Sequence, residues 1–241
     1  MLEETITPNP DEDTSQNTEN EKRDFKKESL DFIKDLGIIL IIVLIIRTFL
    51  ILPFQINGQS MYDSYYDKEF IIVDRFSYIL GSPHRGDVIV FRPHVSEERE
   101  YFIKRVIGLA GDKIKIKDGK VYLWNQDTKK YNELNEVYLS ESNEDSTFVR
   151  GDSEEYEYTV PEDSYFVMGD NRLASTDSRT CFSSCLIEGK SNYIGKKDII
   201  GKVFIDLGYF NIRSFSFVHP TLGIETVPRF LGSPSHADYN K

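Results

Sequence analysis

Ser60 and Lys104 are the residues whose types and surroundings best suit covalent chemistry. Ser60 lies in "QINGQSMYDS", where Gly58 permits close backbone approach or an unusual φ angle. A serine hydroxyl is a weak nucleophile and needs a base. Lys104 lies in the strand-like run "YFIKRVIGL", in which alternation places Phe102 and Val106 on its own face. Because apolar surroundings lower the pKa of an amine, Lys104 is a candidate base for Ser60.

A second interpretation of this run leaves the lysine without a catalytic role. Lys104 would face water and Arg105 the edge of the core, or both cations would pair with carboxylates. Taken alone, the sequence of this run favours this second interpretation.

The segment "GDNRLASTDSR", residues 169–179, follows the apolar run "YFVM" and is dense in polar side chains. Such density just beyond a buried strand is typical of sites that are built on loops. We expect Ser175 to hold the lysine amine by a hydrogen bond, and Asp177 and Arg179 to form a pair that fixes the loop. The alternative is a hydrogen-bonded turn with a surface ion pair, which contributes little to stability.

Composition excludes two other function classes. The net charge is −11 and no basic block is present, which argues against nucleic-acid binding. The four histidines are scattered and neither paired-histidine nor paired-cysteine metal spacings occur, so we predict no metal and no cofactor.

The first 54 residues divide into a tail and an anchor. Residues 1–35 are polar and acidic and predict a disordered tail. Residues 36–54 are almost wholly apolar, which predicts a transmembrane helix, because no polar face is left for water. No small-residue cleavage site precedes Ala110, so we expect the anchor to be retained.

Charge asymmetry predicts the orientation of this anchor. Five basic residues precede it closely and two follow it: Lys22, Arg23, Lys26, Lys27 and Lys34, then Lys68 and Arg75. The positive-inside rule places the N-terminus in the cytoplasm and residues 55–241 outside it. The protein is then a single-pass protein of the cytoplasmic membrane, with the lipid bilayer as one partner.

Residues 55–241 are expected to form a mainly β domain with antiparallel sheets. Short runs rich in Ile, Val, Phe and Tyr recur between turn signals, and no long amphipathic helical pattern appears. "KIKIKDGKVYL" alternates around Asp118-Gly119, a strong hairpin signal. The acidic stretch at 140–160 is expected to be a loop or a mobile hairpin.

Four stretches resemble, in order, the motifs of bacterial type I signal peptidases, also called leader peptidases. They are "IIRTFLILPFQINGQSM", "RGDVIVF", "FIKRVIGLAGDKI" and "MGDNRLASTDSR", and "IGKVF" follows near the end. The resemblance implies a mainly β catalytic domain behind one membrane helix. It also implies cleavage of signal peptides from exported preproteins that carry small residues before the cut.

The resemblance also implies roles for individual residues. Ser60 matches the nucleophile and Lys104 the general base, while Ser175 matches the serine that orients the lysine. Four further residues match positions that hold the site in shape or help the oxyanion hole. Asp170, Asp177 and Arg179 match structural positions, and Gly58 stands where some members have a serine that helps the oxyanion hole.

Departures from the family pattern occur at three positions. Asp63 and Ser64 replace a proline and a threonine, and Ala110 replaces a proline. A carboxylate at Asp63 near Lys104 would favour the charged amine and work against the base. Cys181 and Cys185 could form a disulfide or remain two free thiols.

Two other functions remain to be compared with this one. One is a membrane-anchored β-rich binding module without catalysis, which gives Lys104 no role. The other is a self-cleaving repressor with a Ser-Lys pair. A repressor needs a helix-turn-helix ahead of the catalytic part, where this chain has its apolar segment.

Overall fold

The computed structural model describes residues 10–45, 51–93, 100–149, 154–183, 191–211, 213–218 and 229–230. The chain divides into two units, residues 1–48 and residues 49–241. The second unit contains one short α-helix, two short 3₁₀ segments (Ser178–Ser183 and Lys196–Asp198) and the strands that form its sheets.

The first unit contains one helix, α1, which covers Pro10–Ile45. It therefore includes most of the segment that composition predicted to be disordered. The segment contains several Glu and Lys residues, which favour helix, and has no glycine before Gly37, and proline suits a first helical position. Apolar side chains from Ile38 to Leu44 are 47–59 % exposed.

The expected anchor lies only partly within the described residues. Residues 46–50 fall outside them. No described helix contains an apolar stretch long enough to cross a membrane. Ile51–Phe54, the end of the expected anchor, belongs instead to strand β1, because these residues pair in register with Ile71–Asp74.

The larger sheet of the second unit carries Lys104, and Ser60 lies in the turn after its first strand. Its strand order is β1-β2-β11-β3-β4-β9-β10, with β14 also paired to β11, and each pairing is antiparallel. The strands are β1 (Ile51–Gln55), β2 (Phe70–Asp74), β3 (Val88–Phe91), β4 (Phe102–Gly108), β9 (Ser164–Met168), β10 (Ile194–Gly195), β11 (Ile199–Gly208) and β14 (Arg229–Phe230). A short helix, α2 (Phe76–Leu80), follows β2.

The smaller sheet has the order β7-β6-β5-β8 and is also antiparallel. Its strands are β5 (Lys113–Lys117), β6 (Lys120–Asn125), β7 (Lys130–Glu133) and β8 (Glu155–Thr159). The predicted hairpin is confirmed: Lys117 pairs with Lys120 around Asp118 and Gly119, which both have positive φ. A two-stranded ribbon, β12 (Phe210–Asn211) and β13 (Ser216–Phe217), completes the elements.

Alternation of side chains explains how these strands build the core. In "KIKIK" the two isoleucines are buried while the outer lysines are exposed. One core cluster lies between the smaller sheet and β9, and two others pack on opposite faces of the larger sheet. The prediction of a mainly antiparallel β domain is therefore confirmed.

Candidate active site

The hydroxyl of Ser60 and the amine of Lys104 meet directly. Lys104 Nζ donates a hydrogen bond of 2.7 Å to Ser60 Oγ, and a second bond of 2.9 Å to the carbonyl of Ile103. Ser60 lies in the turn that follows β1, and Lys104 lies within β4. The fold thus brings together the two residues that sequence analysis selected.

Lys104 is almost fully buried, with 3 % of its surface exposed. Burial lowers the pKa of its amine from 10.5 to about 8, against an opposing effect of Asp177 and Asp170. Phe102 lies on the same side of β4 and places its ring centre 5.4 Å from Nζ. The interpretation in which Lys104 faces water is therefore wrong.

Asp63 does not act on Lys104 as the sequence suggested. Its side chain is exposed, and the carboxylates that raise the pKa of Lys104 are Asp177 and Asp170. Both of these have an arginine partner of their own, so their effect on the amine is smaller than the effect of burial.

The turn around Ser60 is fixed by backbone contacts. Gly58 has φ of 102°, which favours glycine, and its N–H donates to Asp67 Oδ1 at 2.7 Å. Asn171 donates from its backbone N–H to the Ser60 carbonyl at 3.1 Å and from Nδ2 to the Gln59 carbonyl at 2.9 Å. The Gly58 N–H is thus occupied, whereas the Ser60 N–H has no acceptor among the described residues.

Asp170 pairs with Arg105, the neighbour of the lysine. Arg105 Nε and Nη2 donate to the two carboxylate oxygens at 2.9 and 2.6 Å. Both side chains are buried, and Arg105 Nη1 also donates to the Gly86 carbonyl. This two-pronged contact ties β4 to the loop that begins at Gly169.

Asp177 and Arg179 form the expected pair, and it is buried rather than on the surface. Arg179 Nε and Nη2 each lie 2.9 Å from a carboxylate oxygen of Asp177. The Gly169 N–H donates to the same carboxylate at 3.0 Å. Burial alone raises the pKa of Asp177, but Arg179 and the Gly169 N–H hold it below its ordinary value.

Ser175 does not contact the lysine amine in this structure. Its Oγ has no hydrogen-bond partner among the described residues, and the second bond of Lys104 goes to the Ile103 carbonyl. The Ser175 hydroxyl lies close enough to Asp177 to help lower the pKa of that carboxyl, although the geometry between them falls outside that of a hydrogen bond.

A groove of about 680 Å³ opens onto the Ser60–Lys104 pair. One wall is the edge of β1 that does not pair with β2. The other wall is the start of β4, because β9 pairs with β4 only from Arg105 onward. The rings of Phe54 and Tyr101, which both line it, make an edge contact with their centres 5.2 Å apart. Its lining combines apolar and uncharged polar residues with one carboxylate: Phe54–Ser60, Ile71, Val90, Glu100–Lys104, Ala174 and Thr176.

Sequence analysis missed a buried network beside the site. Arg172 binds Glu136 through both terminal nitrogens at 2.9 and 2.5 Å, and its backbone N–H donates to Asn143 Oδ1 at 2.7 Å. Tyr138 lies between two arginines, with its ring centre 4.0 Å from Arg105 Cζ. These partners come from the segment 134–149, whose irregular polar sequence gives no periodic signal.

Two further features concern cysteines and metals. Cys181 is disulfide-bonded, and the only other cysteine of the chain, Cys185, lies outside the described residues. Within the described part of the chain, no group of three or more His, Cys, Asp or Glu side chains is arranged to hold a metal ion.

Comparisons with known proteins agree with this geometry. The family described as signal peptidase, peptidase S26, matches residues 29–207. Signal peptidase I P of Bacillus subtilis subsp. natto is 35 % identical over 76 % of this chain and 90 % of its own length. Signal peptidase I U of Bacillus subtilis strain 168 is 42 % identical over 64 % of this chain and 80 % of its own.

A solved signal peptidase I from Enterococcus faecalis V583 aligns at 26 % identity. The alignment covers 51 % of this chain and 97 % of the Enterococcus chain, with a TM-score of 0.36. The match over residues 29–207 and the curated relatives decide the assignment: the chain is a serine peptidase and belongs to the signal peptidase family, peptidase S26.

Proposed function

We propose that this protein is a membrane-anchored serine endopeptidase that removes signal peptides from exported preproteins with a Ser60–Lys104 dyad. The observation that carries the proposal is the 2.7 Å contact between Ser60 Oγ and an amine that is 3 % exposed. Nucleophile and base within hydrogen-bonding reach are the requirement for this chemistry.

The first half of the reaction is acylation of Ser60. Lys104 in its neutral form accepts the hydroxyl proton, and Oγ attacks the scissile carbonyl. The Ser60 N–H, which has no acceptor among the described residues, is suited to stabilise the developing oxyanion. The protonated lysine then gives its proton to the leaving amine.

The second half is hydrolysis of the acyl-enzyme. Lys104 is neutral again after the first half and activates a water molecule. That water attacks the ester carbonyl, and the proton returns to Ser60 Oγ as the signal peptide leaves. With a pKa near 8, a useful fraction of the amine is neutral at ordinary pH.

The groove suits an extended peptide. The edges of β1 and of Phe102–Lys104 lack strand partners among the described residues, so a substrate strand can hydrogen-bond to both walls. Alternating side chains of such a strand enter the groove walls at every second position. We infer small residues one and three positions before the cut, which shallow pockets would select.

We further infer that the apolar part of α1, from Leu36 to Ile45, belongs to a single membrane anchor. The exposed apolar side chains from Ile38 to Leu44 support this, since they suit lipid better than water. The basic residues before the segment favour a cytoplasmic N-terminus and an extracytoplasmic catalytic unit.

A purified full-length chain with a test preprotein decides between this function and a non-catalytic binding module. Wild type is expected to release the signal peptide, Ser60→Ala to release none, and Ser64→Ala to behave as wild type. Sequencing of the new N-terminus gives the residues before the cut. Equal loss from both substitutions would contradict the choice of nucleophile, and no cleavage by wild type would contradict the function.

A further inference from the structure

The position of Ser60 depends on the turn at residues 169–172. Asn171 holds two consecutive carbonyls of the nucleophile turn, those of Gln59 and Ser60, at 2.9 and 3.1 Å. Gly169 also approaches the turn so closely that a Cβ built on it would lie 2.3 Å from the Ser60 carbonyl oxygen. A shift of this turn would therefore move Oγ relative to Lys104.

Arg172 ties the same turn to the segment 134–149, which connects β7 to β8. Its Nε donates back to the Gly169 carbonyl at 3.0 Å, which closes the turn. Its backbone N–H donates to Asn143 Oδ1 at 2.7 Å, and its guanidinium makes the two bonds to Glu136 described above. Thr147 Oγ1 accepts a further bond from Nη1 at 2.5 Å.

The pairing of charges gives Glu136 a specific role. Each of the three buried arginines near the site has its own carboxylate: Arg105 has Asp170, Arg179 has Asp177, and Arg172 has Glu136. Glu136 is only 8 % exposed at its side chain and Arg172 is fully buried there. Without Glu136, the guanidinium of Arg172 would be buried without its carboxylate, and the turn that it closes would lose its main attachment.

We propose that Glu136 and Asn143 are positioning residues for the reaction at Ser60. They act through Arg172, which fixes the turn that holds the Ser60 carbonyl. Both positioning residues lie in the segment 134–149, between β7 and β8, and neither lines the groove. This inference rests on the proposed function of the dyad.

The test measures kcat and KM of the full chain with a test preprotein. Glu136→Gln removes the charge at nearly constant shape and is expected to lower kcat about tenfold with KM within about twofold, because small displacements of a nucleophile slow the chemical step. Glu136→Asp is expected to recover part of the loss. Glu141→Gln, the same change at an exposed glutamate of the same segment, is expected to leave both constants unchanged.

Asn143 provides an independent pair of variants. Asn143→Ala removes the acceptor of the Arg172 N–H and is expected to lower kcat severalfold, whereas Asn143→Asp keeps an acceptor and restores it. Thermal unfolding of each variant reports whether it is folded at the assay temperature. If Glu136→Gln is not folded there, the Asn143 pair decides alone.

The inference is overturned if folded Glu136→Gln and Asn143→Ala both keep wild-type kcat. It is equally overturned if Asn143→Asp fails to restore what Asn143→Ala loses. A failure of the proposed function looks different, since wild type would then not cleave, or Ser60→Ala would cleave as well as wild type.

Discussion

Lys104 and Arg105 are neighbouring buried cations on opposite faces of β4, and their partners differ. Arg105 has both prongs of its guanidinium on Asp170. Lys104, one residue earlier, faces the groove, forms no ion pair within the described residues and donates to a hydroxyl and a carbonyl instead. Burial lowers the pKa of Lys104, whereas the carboxylate of Asp170 compensates the buried charge of Arg105. Pairing, rather than burial alone, separates the structural cation Arg105 from the proposed base Lys104.

The largest expected effect comes from a substitution that erases this difference. Lys104→Arg places a permanent cation on the groove face, and arginine cannot become a neutral base. Preprotein cleavage is expected to fall by about 1,000-fold or more. A Lys104→Arg enzyme with near-normal kcat would show that the amine is not the base.

Asp170→Asn tests the pairing of Arg105, on the other face of β4. This change leaves Arg105 buried without its carboxylate, which is expected to cost about 3–5 kcal/mol of unfolding free energy. Denaturant unfolding of the full chain in detergent measures it. Lys115→Gln, which breaks the exposed pair with Glu157, serves as the control and is expected to leave the midpoint unchanged.

Lys104→Met tests how the unpaired amine affects the free energy of unfolding. The pKa of Lys104 is near 8 in the folded chain and 10.5 in the unfolded one, so wild-type stability rises with pH between these values. At pH 7 Lys104 is mostly protonated, so the folded wild type carries most of the free-energy cost of burying this charge. Lys104→Met is therefore expected to be more stable by about 2 kcal/mol at pH 7, with a gain that shrinks above pH 8. A destabilised Lys104→Met at pH 7 would contradict this.

The smallest effect concerns the apolar neighbour of the amine. Phe102→Ser admits water beside Nζ and is expected to move the pKa of Lys104 upward by about one unit. The midpoint of the rise of kcat/KM with pH moves with it, away from about 8 in wild type. Phe102→Leu keeps the site apolar and is expected to keep the wild-type midpoint. If kcat/KM of Phe102→Ser rises with the wild-type midpoint, the Phe102 ring does not contribute to the low pKa of Lys104.

The sequence predicted those parts of the molecule that repeat a local pattern. Alternation in "KIKIKDGKVYL" predicted the hairpin, and the apolar neighbours of Lys104 indicated a buried amine as one of two interpretations. These succeed because strand pleating fixes the face of each side chain once the period is known.

Contacts between distant irregular segments were not predictable in this way. Glu136 and Asn143 reach Arg172 from an acidic stretch without period or spacing signal. The Ser175 hydroxyl was expected to hydrogen-bond to the Lys104 amine, but the amine donates to the Ile103 carbonyl instead. The loop conformation decides which acceptor lies nearer. The start of β1 at Ile51 was hidden because its apolar residues continue the composition of the preceding segment.

Titration of Lys104 itself tests the central claim most directly. In the full chain with ¹³C-labelled lysine, the ε-carbon resonance of Lys104 is assigned by its loss in Lys104→Arg and followed with pH by NMR. The account predicts a midpoint near 8. A midpoint near 10.5, the ordinary value of a lysine, would show that the amine stays charged at working pH and does not serve as the base.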